Sequence, residues 1–334
     1  MIIPINLGPD SYDIVLEAGC LNRAAELLNL DRRVLIVTDD GVPEEYARSL
    51  AAQCAHPLVR TVPGGEGSKR LAVWEELLKA MLSAGFTRGD CVCAVGGGMV
   101  GDLAGFAAAS YMRGVDFYNI PTTVLSQVDS SIGGKTAVNL GGVKNIAGAF
   151  WQPKRVLVDL DTLATLPARQ ISSGLAEAVK AGLIADAALF ELFEAGDAAG
   201  NMERVIALSL RMKKAVVEQD EREHGPRRSL NFGHTIGHGV ESVTGLTHGE
   251  SVAIGMLPMC AENVRARLTP VLEKLGLPTQ ARADPEAVYA ALLHDKKSAG
   301  GLITIVKVEQ PGSFVLESVA PEALRPLIDM VVKG

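Results

Sequence analysis

Cysteine is scarce and unpatterned. The five residues, Cys20, Cys54, Cys91, Cys93 and Cys260, form no Cys-x-x-Cys pair and are odd in number. They read as buried thiols of a reducing compartment, not as a disulfide framework. No apolar run approaches the roughly 18 residues of a membrane span. The opening segment, Met1 to Asp10, lacks the basic and apolar regions of a signal peptide. The expectation is a soluble, cytoplasmic protein with no membrane partner. Basic runs are missing too: 32 Lys and Arg stand against 39 Asp and Glu, a net charge of −7. A nucleic-acid partner is therefore not expected, whereas anionic small molecules stay open, because a local group of cations can hold them against the overall charge. There is no internal repeat and no low-complexity segment.

What is present divides the chain in two. With 334 residues and 48% hydrophobic content it can bury one large core or two moderate ones, and two domains is the expectation. Up to about residue 160, β-branched runs alternate with amphipathic stretches: Arg33 to Asp39, Cys91 to Val95, Phe117 to Ile120 and Arg155 to Asp159. Bounded by Gly, Asp and Pro, they have the pattern of parallel strands joined by helices. After Leu166-Pro167 the strand signal nearly vanishes. Ile171 to Ala195, Met202 to Gln219, His234 to Val243 and Glu250 to Arg267 read as helices, followed by a hairpin of Leu302 to Val308 and Ser313 to Val319. The expected fold class is α/β, with a Rossmann-like parallel-sheet domain over 1–167 and a mainly α-helical domain over 168–334. A cleft between the halves is where a ligand is expected.

The first half holds a candidate phosphate cradle. Strand Cys91 to Val95 runs into Gly96-Gly-Gly98-Met-Val-Gly101-Asp102, and Leu103 to Ser110 is helix-like. Glycines at a strand end let the backbone approach a pyrophosphate, and a helix N-terminus adds N–H donors and a positive dipole end. As a Gly-x-Gly-x-x-Gly match it is weak: it does not open the chain, and no acid is clearly placed about twenty residues on. Asp39, ending an earlier strand, could meet a ribose hydroxyl instead. Pro63-Gly-Gly-Glu66-Gly-Ser-Lys69 is a second glycine-rich strand-to-helix turn. Tight turns without a ligand are the alternative at all three places.

Three of the six histidines fall within fifteen residues, in Asn231-Phe-Gly-His234-Thr-Ile-Gly-His238 and Thr247-His248-Gly-Glu250. If Gly233 to Val240 is helical, His234 and His238 share one face. His248 would start the next helix and could return to the same place. Three nitrogens would leave one tetrahedral position for water or substrate; ordinary polar helix positions are the alternative. A second polar segment runs from Gln127 through Asp129, Gly134, Lys135 and Asn139 to Lys144-Asn145, putting two lysines, an aspartate and two asparagines into nineteen residues otherwise small or apolar. Its Gly-Gly-Lys-Thr string fails as a P-loop, because Asp129 holds the place of the earlier glycine. Lys135 and Lys144 still suit phosphate or carboxylate groups as point charges.

Taken together, these segments resemble the 3-dehydroquinate synthase family of the sugar-phosphate cyclase superfamily. The resemblance runs through Gly96 to Phe106, Tyr111 to Val115, Pro121 to Thr123, Gln127 to Thr136, Lys144-Asn145, Gly174-Leu-Ala-Glu-Ala-Val-Lys180, Asp220 to Glu223 and Leu230 to His238, in order and spacing between about residues 33 and 308. It implies one divalent ion, zinc or cobalt, on Glu177, His234 and His248, and makes His238 a substrate-contacting or outer residue. It implies active-site cations at Lys135, Lys180, Lys213, Arg227 and, from Asp295-Lys296-Lys297, Lys297. Polar substrate contacts follow at Asp129, Asn145 and Asn231. Arg113 would reach the neighbouring subunit's site in a homodimer. NAD would lie on the first domain, against Asp39, Glu66, Lys69, Gly97, Gly98, Asp102, Thr122, Thr123, Leu125, Lys135 and Lys144.

The reaction so implied turns 3-deoxy-D-arabino-heptulosonate 7-phosphate, a small sugar-phosphate substrate, into 3-dehydroquinate and phosphate. NAD takes a hydride from a hydroxyl-bearing carbon whose hydroxyl the metal acidifies, phosphate is eliminated, the hydride returns, and an intramolecular aldol closes the carbocycle. NAD is then a catalyst. Phosphate would act as the base for its own elimination, which accounts for the lack of an evident strong protein base. The loop Asn139 to Val143 departs from the family in lacking a Pro and a Gly beside Lys144. Two other readings stand beside this one: a sister cyclase making another carbocycle, and a metal-dependent alcohol or glycerol dehydrogenase. Arg227 and Asn231 together favour dehydroquinate over sedoheptulose-phosphate cyclisation.

Overall fold

The computed structural model describes residues 1–223, 225–295 and 301–334. Lys297 lies outside the described residues. Two compact units are present, Met1–Pro167 and Ala168–Gly334.

The first unit contains, in chain order, β1 (Ile2–Ile5), β2 (Tyr12–Leu16), α1 (Ala24–Leu27), β3 (Arg33–Asp39), α2 (Glu44–Ala51), β4 (His56–Val62), α3 (Leu71–Ser83), β5 (Cys91–Gly96), α4 (Gly98–Ser110), β6 (Asp116–Pro121), β7 (Lys135–Leu140), β8 (Val143–Phe150) and β9 (Arg155–Val158). Seven strands make one sheet in the order β1-β2-β9-β6-β5-β3-β4, parallel throughout except where β1 meets β2. The pleat sends successive side chains to opposite faces. Leu35, Val37, Val92 and Ala94 accordingly pack with Leu77, Met81 and Leu103 on one side. Val34, Ile36, Cys91 and Cys93 pack with Ala24 and Leu50 on the other. Burial on both faces is why β5 is a continuous small-apolar run without polar alternation.

Strand order reverses beside β3. The chain leaves β3 for β4 on one side and comes back to β5 on the other, so the carboxyl ends of β3 and β5 flank a topological switch point, where open α/β sheets take ligands. Helix α4 starts at Gly98 and not at Leu103. Gly98 and Gly101 lie in its first turns, where the neighbours come close: a Cβ at Gly98 would sit 2.8 Å from Ser130 Oγ and one at Gly101 3.2 Å from Asn119 Nδ2. The polar segment after Lys135 is also more ordered than its sequence suggests. It is an antiparallel hairpin of β7 and β8, turned by Gly141 and Gly142 with φ of 61° and 79°, the positive φ pair that two-residue hairpins require.

The second unit contains α5 (Ala168–Ala185), α6 (Ala187–Ala195), α7 (Met202–Gln219), α8 (His234–Val243), α9 (His248–Met256), α10 (Glu262–Lys274), β10 (Ala281–Arg282), α11 (Pro285–Asp295), β11 (Ile303–Lys307), β12 (Val315–Val319), α12 (Arg325–Val331) and β13 (Val332–Lys333). Helices α7 and α8 have the bounds that the sequence pattern gives. The other two expected helices are each split. Asp186 breaks the first and caps α6, its side chain accepting from Leu189 N at 3.2 Å. In the second, Pro258 lies in a 3-10 turn, Leu257–Met259, and Cys260 then pairs with Val308. β11 and β12 form the expected antiparallel hairpin, trimmed at both ends. Four cysteines are buried and Cys54 is half-buried, so one of the five departs from the expectation; all are free thiols. Among the described residues no helix is long and apolar enough to cross a membrane.

Helix α5 is the centre of this unit, buried at every residue from Ser173 to Ile184. Helix α9 lies close against α5 and α8 because of two glycines. A Cβ on Gly249 would overlap the Ser173 carbonyl of α5, and one on Gly255 would overlap the Gly233 carbonyl that leads into α8. The start of α9 is fixed by a capping box between Thr247 and Glu250. Arg169, on α5, then grips the Glu250 carboxylate through two bonds of 2.7 and 2.8 Å. Gly249→Ala is expected to destabilise the chain by about 1–3 kcal/mol through this overlap, read as a lower midpoint in urea. An unchanged midpoint would contradict the close approach of α9 to α5.

Candidate active site

Glu177, His234 and His248 come from α5, α8 and α9 and converge on one point. Both histidine Nε2 atoms lie 3.6 Å from Glu177 Oε1. Two metal bonds of about 2.1 Å at a tetrahedral angle would put their ligand atoms roughly 3.4 Å apart, so the spacing suits a single small divalent ion. Both Glu177 oxygens are buried with no hydrogen-bond partner among the described residues. An unbonded buried carboxylate is costly unless opposite charge stands beside it. Lys180, one turn along α5, supplies part of that charge in a buried ion pair with Glu177 and donates to Leu230 O at 2.9 Å. The residues therefore fit a divalent cation in charge, donor type and spacing.

Protonation preferences differ across the centre. Burial pulls His234 well below the imidazole range and nearby Lys180 adds to it, leaving a neutral ring able to ligate. At His248 burial acts the same way, but the facing carboxylates Glu177 and Glu241 outweigh it and push the ring up to about 9. Burial alone would raise Glu177; Lys180 and the two imidazoles hold it well below the carboxylate range. A proton on His248 and a divalent ion thus compete for the same lone pair.

Other sequence candidates of the second unit lie on elements packed around this centre. The His238 ring centroid is 5.2 Å from that of His234 and 5.9 Å from that of His248. Lys213, on α7, and Arg227, in the 3-10 segment Pro226–Asn231, are buried cations. Asp220 fixes that segment by accepting from Gly225 N at 2.7 Å and Arg227 N at 3.2 Å. Asn231 Nδ2 donates to Glu223 Oε1 at 2.8 Å.

The remaining candidates belong to the first unit. Asp39 ends β3 and accepts from Gly41 N at 2.9 Å, while Asp40 accepts from Gly64 N at 2.7 Å. These acids and Thr38, Val59 and Thr61 line a cavity of about 640 Å³. Glu66, Lys69 and Asp102 are brought together: the buried Lys69 Nζ is 2.5 Å from Asp102 Oδ2 and 3.8 Å from Glu66 Oε1. Gly97 caps α4, and Thr122 N donates to Gly96 O at 3.0 Å. Thr123 and Ser126 share a hydroxyl hydrogen bond of 2.9 Å. Leu125 leads into a π-helical turn, Ser126–Ser130, that holds Asp129. Lys135 opens β7 on the surface, and Lys144 and Asn145 are exposed on β8. Arg113 stands apart, exposed in the turn after α4. It follows Met112, and the two take φ of 70° and 51°, a left-handed pair that non-glycine residues adopt under strain.

One contact and one group escaped the sequence reading. Asn139 Nδ2 donates to Glu66 Oε1 at 2.9 Å, tying β7 to the glycine-rich turn; no local pattern signals that long-range contact. Glu241 faces His248 at 2.9 Å. Here a signal existed, since His234, His238 and Glu241 stand at i, i+4 and i+7 on one helix face.

Similarity to known proteins covers both units. Residues 59–173 match the family model for the 3-dehydroquinate synthase N-terminal part, and residues 174–298 match that for the C-terminal part. A 3-dehydroquinate synthase of Pelobacter propionicus is 39% identical over 357 residues, spanning 99% of either chain. Among solved structures, 2-deoxy-scyllo-inosose synthase complexed with carbaglucose-6-phosphate, NAD+ and Co2+ is similar with a TM-score of 0.90 at 26% identity, over 99% of this chain and 100% of that one. A 2-epi-5-epi-valiolone synthase from Streptomyces hygroscopicus with NAD+ and Zn2+ bound gives a TM-score of 0.87 at 30% identity, over 96% of each chain. With both halves matched in order along nearly the whole length, the chain belongs to the 3-dehydroquinate synthase family.

Proposed function

We propose that the chain is a 3-dehydroquinate synthase, a carbon–oxygen lyase that converts 3-deoxy-D-arabino-heptulosonate 7-phosphate to 3-dehydroquinate and phosphate, with NAD and one divalent ion, zinc or cobalt, as cofactors. The observation that carries it is the buried Glu177 carboxylate, ion-paired with Lys180 and facing the Nε2 atoms of His234 and His248. When bound, the ion acidifies a substrate hydroxyl, and NAD accepts and later returns the hydride of the carbon that bears it.

The chain's own residues bind, orient and supply charge. The first unit takes NAD at its switch point. Asp39 meets a ribose hydroxyl, and Gly97 and Gly98 at the start of α4 take the pyrophosphate, where N–H donors and the dipole end favour an anion. Thr122, Thr123 and Leu125 border the cofactor, with Glu66, Lys69, Asp102 and Lys144 around it. Lys213 and Arg227, cations buried before any ligand arrives, hold the substrate carboxylate, with Asn231 and His238 on its hydroxyls. Lys135 and Asn145 hold the phosphate, with Asp129, from the π-helical turn that precedes the hairpin, as a further polar contact. Fixed charges of this kind need no reorganisation during the reaction. Lys180 keeps Glu177 ionised, and Lys297 completes the set from sequence similarity alone.

The working unit we propose is a homodimer, in which Arg113 reaches the neighbouring site. Support comes from the strained, exposed Met112-Arg113 pair and from Leu140, Ile146 and Phe150, which leave the β7–β8 hairpin with exposed apolar side chains. Five free thiols suit a reducing cytoplasm.

Purified protein with NAD below the enzyme concentration, Zn2+ or Co2+, and the heptulosonate phosphate should release inorganic phosphate over many turnovers with no net NADH. NADH formed one for one with substrate would overturn the reading in favour of a dehydrogenase, and a different carbocycle in the product would point to a sister cyclase. His248→Ala should weaken binding of the ion by on the order of 100-fold or more and abolish turnover, with the unfolding transition kept; undiminished zinc content would remove His248 from the ligand set. Arg113→Ala and Lys135→Ala, each inactive alone, should regain up to a quarter of wild-type activity in mixed dimers, by the statistics of one intact site in half of the molecules. Mixed dimers with no recovery would count against a shared site.

A further inference from the structure

The two histidines facing Glu177 are held in different ways. His234 Nδ1 lies 3.0 Å from the Phe232 carbonyl, an acceptor fixed by the backbone two residues away. His248 Nδ1 instead lies 2.9 Å from Glu241 Oε2, a side chain on another helix. In each ring the far nitrogen has an acceptor, which puts the proton on Nδ1 and leaves the Nε2 lone pair towards the centre. For His248 that choice rests on Glu241. His248 is the first residue of α9 and its side chain is 33% exposed, against 18% for Glu241 and 12% for His234. It is the least enclosed of the three ligand candidates, so packing fixes its ring least.

We propose that Glu241 is a positioning residue for the metal centre: it sets the Nδ1–H tautomer of His248 and aims Nε2 at the point shared with Glu177 and His234. The inference rests on the ligand set given above. A carboxylate behind a ligating imidazole fixes ring orientation through a charge-assisted bond, and its loss typically costs ~10–100-fold in metal affinity. Glu241 also bridges α8 and α9, and so holds together two of the three elements that supply ligands. Its second possible use is as a ligand itself, because His238, Glu241 and His248 offer atoms within 4.8 Å of one another. The 2.9 Å contact favours the hydrogen bond, since two atoms on one tetrahedral ion would stand about 3.4 Å apart.

The experiment measures Zn2+ affinity by competition with a chromophoric chelator, and Co2+ stoichiometry and visible absorption, on wild type, Glu241→Ala and Glu241→Gln, with circular dichroism as the check on folding. Glu241→Ala should bind one ion about 10–100-fold more weakly, with an altered Co2+ band. Glu241→Gln keeps an acceptor oxygen without the charge and should recover part of the loss. Wild-type affinity in a folded Glu241→Ala chain would overturn the positioning role alone. Two ions per wild-type chain, with one lost in both variants, would overturn it by making Glu241 a ligand. If wild type binds no ion, the ligand set itself fails and the role of Glu241 fails with it.

Discussion

A carboxylate shut away from water, with no hydrogen-bond partner for either oxygen among the described residues, is held by the charges around it, and Glu177, ion-paired with Lys180, is in that position. Much of the second unit follows from this constraint. Helix α5 has to be covered along its length for the group to be buried. Helices α8 and α9 have to approach within the reach of an imidazole, and Gly249 and Gly255 permit it. The Thr247–Glu250 capping box and the Arg169 clamp then fix where α9 begins, and hence where His248 stands. Each of these features would be unremarked in an ordinary helical bundle; here they set one interatomic spacing.

The first unit meets a different requirement by different means. The NAD site proposed on the first unit needs donors and a gap more than buried charge, and a parallel sheet with a reversal in strand order offers a place for both at the carboxyl ends of β3 and β5. The glycines at the start of α4 serve two ends at once. They let the helix abut Thr123 and Ser130 without overlap, and they leave its N-terminal amides uncovered. Lys69 is almost fully buried between Asp102 and Glu66, and so ties the Gly-rich turn to α4.

Legibility in the sequence followed how local the physics was. Parallel strands such as β3 and β5 were visible because burial on both faces leaves an unbroken apolar run. Helix α8 was visible because His234, His238 and the residues around them repeat at helical spacing. The ends of α5 and α9 were not, since Asp186 and Pro258 act through a cap and a missing N–H inside stretches that otherwise keep their helical period. Hairpin β7–β8 was hidden because its lysines, asparagines and glycines obscure the alternation of a strand. Glu177 could not be found by spacing at all: 57 residues separate it from His234 and only the folded chain, or similarity to relatives, joins them. Glu241 was within reach of periodicity, yet nothing local says that it faces a residue of the next helix.

The ion pair between Lys180 and Glu177 bears on the order of assembly. In domains whose ligands gather only around an ion, metal uptake and folding are one event. Here the lysine is built into the same helix, one turn from the carboxylate, and balances its charge from the moment α5 is formed. The carboxylate is thus countered within its own helix, whether or not an ion stands beside it.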